Sequence, residues 1–156
     1  MCRIRRTKAH APRHAECRTA WICRRAVIAL DTNVVVRLLA DDDPDQSRRA
    51  AGLLEDNAVF VPLTVLLETE WVLRSVYALG RDSVLRGLRR LLGLPNVTAE
   101  ATGRVARALS WYEQGIDFAD ALHLSSAVET GAESFATFDV RLRRLAMDRG
   151  VQAIEV

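Results

Sequence analysis

Lysine is almost absent from this sequence: Lys8 is the only one, so arginine carries nearly all of the positive charge. Cysteine is confined to Cys2, Cys17 and Cys23. Because no cysteine follows residue 23, the rest of the chain cannot form disulfide bonds, which is typical of a protein in a reducing compartment. No apolar stretch approaches the roughly 20 residues that a membrane-spanning helix needs. We therefore expect a cytoplasmic protein that does not cross a bilayer.

The net charge of +2 conceals an uneven distribution. Residues 1–26, the basic leader, hold seven arginines and one lysine against one glutamate, a formal charge of +7. Residues 27–156, the body, hold 14 basic and 19 acidic residues, a formal charge of −5. Bulk charge therefore does not draw the body to nucleic acid, and any such contact must be made locally.

The leader is interpreted as a disordered extension outside the fold. Its potential zinc ligands are His10, His14, Cys17 and Cys23. Their spacings match no standard pair of zinc ligands, and no uninterrupted apolar region of a secretory signal is present. Val27 opens the first ordered-looking element, and a GUG codon that reads as valine internally can serve as a start codon. We therefore expect residues 1–26 to be a mis-called upstream extension.

Strand and helix patterns alternate along the body, which predicts one α/β domain over residues 27–156. Strands are predicted at 27–30, 59–61, 134–137 and 151–155. Helices are predicted at 33–40, 44–55 with Asp43 as N-cap, 64–79 with Thr64 as N-cap, 81–92, 99–114, 118–130 and 139–149. This order favours a small parallel sheet flanked by helices in three layers. In such sheets the functional site lies beyond the carboxyl ends of the strands.

A bare carboxylate ends the first predicted strand in the stretch VIALDTNVVVRLLA, residues 27–40. Asp31 is either a helix cap or one ligand of a metal site. The metal hypothesis needs further acids at the same edge of the sheet. Asp139 is one, because it follows the strand predicted at 134–137 in the stretch SFATFDVRL. In that stretch Thr137 is a potential hydrogen-bonding partner for a carboxylate or a ligated water.

The stretch PLTVLLETEWVLRS places two glutamates within an otherwise apolar helix. Glu68 and Glu70 are about 200° apart around the helix axis, so they cannot share one face. Glu68 lies one turn after Thr64, near the end of the strand at 59–61, and is expected close to Asp31. Glu70 is expected on the surface.

The stretch GIDFADALHLSSA, residues 115–127, starts a helix with two aspartates that lie on one face. Asp117 fits the N-cap position, which is the favoured interpretation for that residue. Asp120 has apolar neighbours and needs a partner or a cation, because burying a lone carboxylate is costly. His123 is expected to be a surface or partly buried histidine rather than a general base.

Together these stretches give four acids at the predicted carboxyl edge, namely Asp31, Glu68, Asp120 and Asp139. Clustered carboxylates raise each other's pKa and stay ionised together only when a cation neutralises them. A site made of oxygen ligands favours Mg²⁺ or Mn²⁺ over zinc. Such an ion, with positions left open for water and phosphate oxygen, suits hydrolysis of a phosphodiester bond.

Four motifs in order, LDTNVVVRLL, VLLETEWVLR, GIDFADALHL and FATFDVRL, resemble those of the PIN-domain ribonucleases. Within them the chain is similar to the VapC toxins of bacterial toxin–antitoxin pairs, over residues 27–156. The resemblance implies a Mg²⁺- or Mn²⁺-dependent endoribonuclease that is usually dimeric and is silenced by an antitoxin. It assigns the four acids to catalysis and metal binding. It also implies supporting roles for Asn33, Asp117 and Thr137.

Rival functions have less support. A receiver domain would need an acidic pair near its first strand and a lysine across the pocket, and the body has no lysine. A haloacid-dehalogenase phosphatase would need an aspartate two residues after Asp31, where Asn33 stands, and no glycine-rich phosphate loop is present. The stronger rival is a PIN-fold module that binds RNA or an antitoxin without cleaving. Metal-dependent cleavage distinguishes the two.

Overall fold

The computed structural model describes residues 26–156, so the basic leader and its potential zinc ligands lie outside the described residues. The strands of the described part are β1 (Val27–Ala29), β2 (Ala58–Val61), β3 (Val97–Ala99), β4 (Phe135–Ala136) and β5 (Ala153–Ile154). Its helices are α1 (Thr32–Ala40), α2 (Pro44–Asp56), α3 (Leu63–Ser75), α4 (Arg81–Leu92), α5 (Thr102–Glu113), α6 (Phe118–Thr130) and α7 (Val140–Met147). The predicted α/β class with a small parallel sheet is confirmed.

The main sheet has three parallel strands in the order β1-β2-β3, with β2 in the centre. Val59 pairs with Ile28 on one side and with Val97 on the other. Both β2 residues at the inward positions, Val59 and Val61, are buried. Since the strands are parallel, their carboxyl ends meet at one edge, and the chain enters α1 and α3 directly from β1 and β2.

Strands β4 and β5 form a separate two-stranded parallel sheet rather than joining the main one. The predicted single sheet is therefore divided within residues 26–156. Each of these strands has only two residues, against the four and five predicted, because the pairing is limited to Phe135 with Ala153 and Ala136 with Ile154. They pack with α7 around Leu142, Ala146 and Val151, in a small apolar cluster of their own.

The prediction for the segment after α4 was wrong in one respect. Val97–Ala99 is a strand, β3, and the next helix begins at Thr102 instead of residue 99. A three-residue strand with an exposed middle residue has no periodicity to reveal it, and only its pairing with β2 defines it. The backbone then turns sharply at Ala101, whose φ of 50° is left-handed.

Helix α3 also differs from the prediction at both ends. Pro62 rather than Thr64 occupies the N-cap position, and the helix ends at Ser75 instead of residue 79. The end is fixed by Ala78, whose φ of 52° breaks the helical path, while the Leu79 N–H donates to the Leu73 carbonyl at 2.9 Å. The apolar residues at 76–79 continue the helical pattern of the sequence, which is why the predicted helix extended to residue 79.

The N-caps predicted for α2 and α6, Asp43 and Asp117, are confirmed. The Asp43 carboxylate accepts hydrogen bonds from the N–H groups of Asp45 and Gln46 at 3.1 and 3.0 Å, and Pro44 follows in the first helical turn. Such a cap satisfies donors that the helix itself cannot pair. In the described residues no helix is long and apolar enough to cross a membrane.

Candidate active site

Asp31 lies at the carboxyl end of β1, where the Leu30 N–H still donates to the Phe60 carbonyl of β2 at 3.0 Å. It occupies the N-cap position of α1 but makes no side-chain capping bond. Its exposed carboxylate accepts a hydrogen bond at 3.4 Å from the side-chain amide of Asn33. The cap interpretation of Asp31 is thus not supported, and the carboxylate is available to a ligand.

Glu68 is tied to the same motif through a residue that the sequence did not single out. The buried Thr32 hydroxyl donates to the Glu68 carboxylate at 2.6 Å, joining the start of α1 to α3. Glu68 itself is exposed. Glu68 is predicted to lie close to Asp31, and this bond holds it to Thr32, the residue that follows Asp31. The only sequence signal for Thr32 is its place beside Asp31.

The prediction that Glu70 faces water was wrong. Glu70 is only 7% exposed, and its carboxylate accepts a hydrogen bond of 2.6 Å from the Tyr112 hydroxyl. Arg74, one turn later, lies 3.8 Å from the same carboxylate oxygen. The two glutamates do point in different directions, as a helix requires. Tyr112 of α5 covers the Glu70 carboxylate, and the sequence of α3 alone does not reveal this contact.

Replacing Tyr112 by phenylalanine is expected to lower the free energy of unfolding by about 2 kcal/mol, because the buried Glu70 loses its donor. Burial raises the pKa of Tyr112 well above its usual range, and the hydrogen bond to Glu70 raises this pKa further. Folded Tyr112 thus keeps its proton to higher pH than the unfolded chain. Its contribution is full below the unfolded pKa of about 10 and is lost as pH rises above it.

Urea unfolding of the wild type and Tyr112→Phe between pH 7 and pH 11 measures this effect. The difference in stability should shrink above about pH 10. Glu70→Gln is the matched control, since its amide oxygen still accepts from Tyr112 and a smaller loss is expected. Equal stability of the wild type and Tyr112→Phe at pH 7 would contradict the assignment.

Asp117 and Asp120 start α6, as predicted. Asp117 is the N-cap, and its carboxylate accepts from the N–H groups of Ala119 at 2.9 Å and Asp120 at 3.5 Å. Asp120 is half-buried, and burial raises its pKa above the ordinary value. The Asp117 and Asp139 carboxylates raise this pKa further, while the exposed His123 opposes them. Asp117 and Asp139 thus both lie within electrostatic reach of Asp120.

Asp139 caps α7 through one oxygen, Oδ1, which accepts from the N–H groups of Arg141 and Leu142 at 2.7 and 3.0 Å. Thr137 receives a hydrogen bond of 3.0 Å from the Asp139 N–H instead of contacting a carboxylate. This bond fixes the backbone that presents Asp139. Asp139 is exposed, so its other oxygen can face a ligand from solvent.

The contacts define two linked groups of acids: Asp31 and Glu68, joined through Thr32, and Asp120 with Asp117 and Asp139, whose charges act on it. A cavity of about 340 Å³ between α3 and the start of α6 has Glu68 and Asp117 on its wall, which connects the groups. Within residues 26–156 no three acidic, histidine or cysteine side chains converge closely enough to hold a metal ion.

Two arginines of the body, Arg37 and Arg81, are engaged in contacts within the fold. Arg37 binds both Asp42 oxygens at 2.6 and 2.5 Å and holds the pKa of that carboxyl below its usual range. Arg81 donates to the carbonyls of Tyr112 and Ile116 at 2.8 and 2.7 Å. Each guanidinium is thus committed to holding helices together, which makes it a poor phosphate ligand.

A family model described as "PIN domain" matches residues 28–147, and the chain belongs to this family. Proteins of the PIN-domain family are in general metal-dependent nucleases. The match spans all four acids that the sequence motifs single out. A search of the curated proteins finds no match to the chain.

The donor chemistry of the site fits the divalent ion that the family implies. Carboxylate oxygens are the ligands that Mg²⁺ and Mn²⁺ prefer. The Asp117 and Asp139 charges that raise the pKa of Asp120 are the kind of repulsion that a cation would relieve.

Proposed function

We propose that the chain is a Mg²⁺- or Mn²⁺-dependent endoribonuclease that hydrolyses phosphodiester bonds in RNA. The observation that carries this proposal is the free carboxylate of Asp31. It stands at a helix N-cap position, makes no capping bond and points to solvent at the carboxyl edge of the sheet. Helix starts usually employ such a carboxylate as a cap, as Asp43 does here. An exposed carboxylate that makes no capping bond in that position is suited to binding a cation.

Asp31, Glu68, Asp120 and Asp139 would hold the ion, with Asn33, Asp117 and Thr137 in support. When bound, the ion supplies an activated water and neutralises charge on the phosphate. The protein itself holds the acidic side chains in position. Thr32 orients Glu68 by a hydrogen bond of 2.6 Å, and the Asp117 cap fixes the helix start that carries Asp120.

We further propose that the chain is a toxin of the VapC type, acts as a homodimer and is silenced by a cognate antitoxin. The body charge of −5 and the acidic site are compatible with an antitoxin that inserts a basic side chain. The apolar face of α4 is not available to such a partner, since Val84, Leu85, Leu88 and Leu91 are buried within the domain.

Cleavage of RNA by the purified chain tests the nuclease directly. We expect cleavage with Mg²⁺ or Mn²⁺ and none after EDTA, followed by recovery when metal is added back. Denaturing gels of end-labelled single-stranded RNA would show internal cuts rather than shortening from one end. Activity that persists in EDTA would contradict metal dependence.

A second candidate is a PIN-fold module that binds RNA or an antitoxin without cleaving it. The observation in its favour is that no three acids converge on one point in residues 26–156. Calorimetric titration with Mn²⁺ beside the cleavage assay distinguishes the candidates. Binding of RNA without any cleavage, with or without the metal, would favour the module.

A further inference from the structure

The turn between α5 and α6 sets the position of the helix that carries Asp120. Only residues 114–117 separate the two helices. The Gly115 N–H donates to the Tyr112 carbonyl at 3.0 Å, and the φ of Gly115 is 98°, a conformation that favours glycine. Asp117 ends the turn as the N-cap of α6. A shift of this turn therefore moves the start of α6 and, with it, Asp120.

Arg81, the first residue of α4, holds this turn by its side chain. Its Nη1 donates to two carbonyls, that of Tyr112 at 2.8 Å and that of Ile116 at 2.7 Å. Tyr112 lies in the last turn of α5, and Ile116 immediately precedes the Asp117 cap. A single nitrogen thus joins the end of one helix to the start of the next. Since the C-terminal carbonyls of a helix carry partial negative charge, a guanidinium is well suited to this place.

The Tyr112 side chain extends these contacts to α3. The guanidinium carbon of Arg81 lies 4.7 Å from the centroid of the Tyr112 ring, a distance at which a cation is attracted to an aromatic face. The Tyr112 hydroxyl donates to the buried Glu70 of α3 at 2.6 Å. A continuous set of contacts therefore runs from the start of α6, through Arg81 and Tyr112, to the helix that carries Glu68.

The same contacts bear on the distance between the two groups of acids. Glu68 and Asp117 both line the cavity between α3 and the start of α6, so the placement of α6 determines how far apart the groups lie. A set of ligands must be held within about 0.5 Å of its working geometry, and an error of about 1 Å can cost a hundredfold in activity. Within the described residues the Arg81 side chain donates to the two carbonyls and to no acid of the site. Arg81 therefore acts on the site through the backbone of the turn rather than by touching a ligand.

We propose that Arg81 is a positioning residue for the metal site. Its two hydrogen bonds set the distance between the acids at the start of α6 and those around Asp31, so that the two groups can share one divalent ion. This inference rests on the proposed metal-dependent ribonuclease and names a residue outside the acids on which its metal site depends. An arginine that only stabilised the fold would affect the free energy of unfolding and leave the affinity for the ion unchanged. The two roles are therefore separable by measurement.

Calorimetric titration of the full chain with Mn²⁺, in the absence of RNA, tests this role apart from cleavage. Arg81→Gln is expected to weaken Mn²⁺ binding about tenfold, the order found when a group that orients metal ligands is removed. Arg81→Lys should bind Mn²⁺ within about threefold of the wild type, because one ammonium nitrogen can donate to both carbonyls, as Nη1 does. Asp31→Asn, which lacks a proposed ligand, identifies the Mn²⁺ that is bound at the site.

Arg89→Gln is the matched control. Arg89 also lies on α4 and also contacts α5, through Glu113 at 2.8 and 2.7 Å, but these bonds do not involve the carbonyls of the turn. The affinity of this variant for Mn²⁺ should equal that of the wild type. Thermal unfolding gives the temperature below which each variant is fully folded, and all titrations are made there.

Hydrogen exchange followed by mass spectrometry measures local opening at the start of α6 without any metal. The N–H groups of Ala119 and Asp120 donate to the Asp117 cap. They should exchange about tenfold faster in Arg81→Gln, because the turn that presents the cap is no longer held. The N–H groups of α2 that donate to the Asp43 cap should exchange as they do in the wild type.

The outcomes separate this inference from the function on which it rests. Wild-type affinity for Mn²⁺ in Arg81→Gln, whatever its stability, would overturn the positioning role and leave the metal site standing. Unchanged hydrogen exchange at the start of α6 in that variant would overturn it as well. An equal loss of affinity in Arg89→Gln would attribute the effect to the packing of α4 on α5 and also overturn the role of Arg81. A wild type that binds no Mn²⁺, or an Asp31→Asn variant that binds it as tightly as the wild type, would overturn the proposed metal site and this inference together.

Discussion

Asp31→Asn is expected to lower metal-dependent RNA cleavage by at least about a hundredfold, with almost no change in stability. The substitution removes one negative charge and preserves the shape of the side chain. Because Asp31 makes no capping bond and is exposed, the fold does not depend on its charge. A large loss of activity in a protein of unchanged melting temperature would therefore point to a ligand rather than to packing.

Asp43→Asn is the matched control for this variant. Asp43 also stands at a helix N-cap, but its carboxylate is occupied by the N–H groups of Asp45 and Gln46, and asparagine caps equally well. Its cleavage rate should equal that of the wild type. The measurement is initial rates at several Mn²⁺ concentrations, with thermal unfolding of each protein alongside. Full activity in Asp31→Asn would show that Asp31 is not part of the active site. It would also indicate a contaminating nuclease in the wild-type preparation.

Phe118→Ala is expected to destabilise the protein by about 4 kcal/mol, the largest stability effect that we predict. Phe118 is fully buried in the first turn of α6, and its ring meets that of Tyr112 edge to face at a centroid distance of 5.5 Å. Truncation leaves a cavity between α5 and α6. Helix α5 carries Tyr112, which donates to the buried Glu70, and α6 carries Asp120.

The same substitution at an exposed site gives the control. Phe138→Ala removes an equal number of atoms from a ring that is 78% exposed, so the loss in stability should stay below about 0.5 kcal/mol. Urea unfolding followed by circular dichroism measures both variants. Similar losses of stability in Phe118→Ala and Phe138→Ala would contradict the assignment of Phe118 to the core.

The α/β class and the order of the acids could be read from the sequence because their signals are local. Strand runs, the Asp43-Pro44 start of α2 and the Asp117 cap of α6 each involve residues only a few positions apart. Such patterns reflect backbone needs that any helix or strand has, whatever its neighbours. The same locality explains why α4 and α6 were predicted with the bounds that the structure gives them.

Other features were decided by contacts between residues far apart in the chain. Strand β3 exists through its pairing with β2, and Glu70 is buried because Tyr112, 42 positions later, covers it. Thr32 and Glu68 meet across 36 positions. Helical spacing gives the angle between Glu68 and Glu70, but not which of the two directions leads to solvent.

The sequence by itself determined that this protein alternates strands and helices and carries acids at strand ends and helix starts. Only the tertiary structure decided which carboxylates accept capping or buried hydrogen bonds. It also decided that the Asp31 carboxylate accepts neither kind. It also decided which aromatic rings are exposed. The physical reason is that side-chain environment depends on packing partners distant in sequence, whereas secondary structure and caps depend largely on near neighbours.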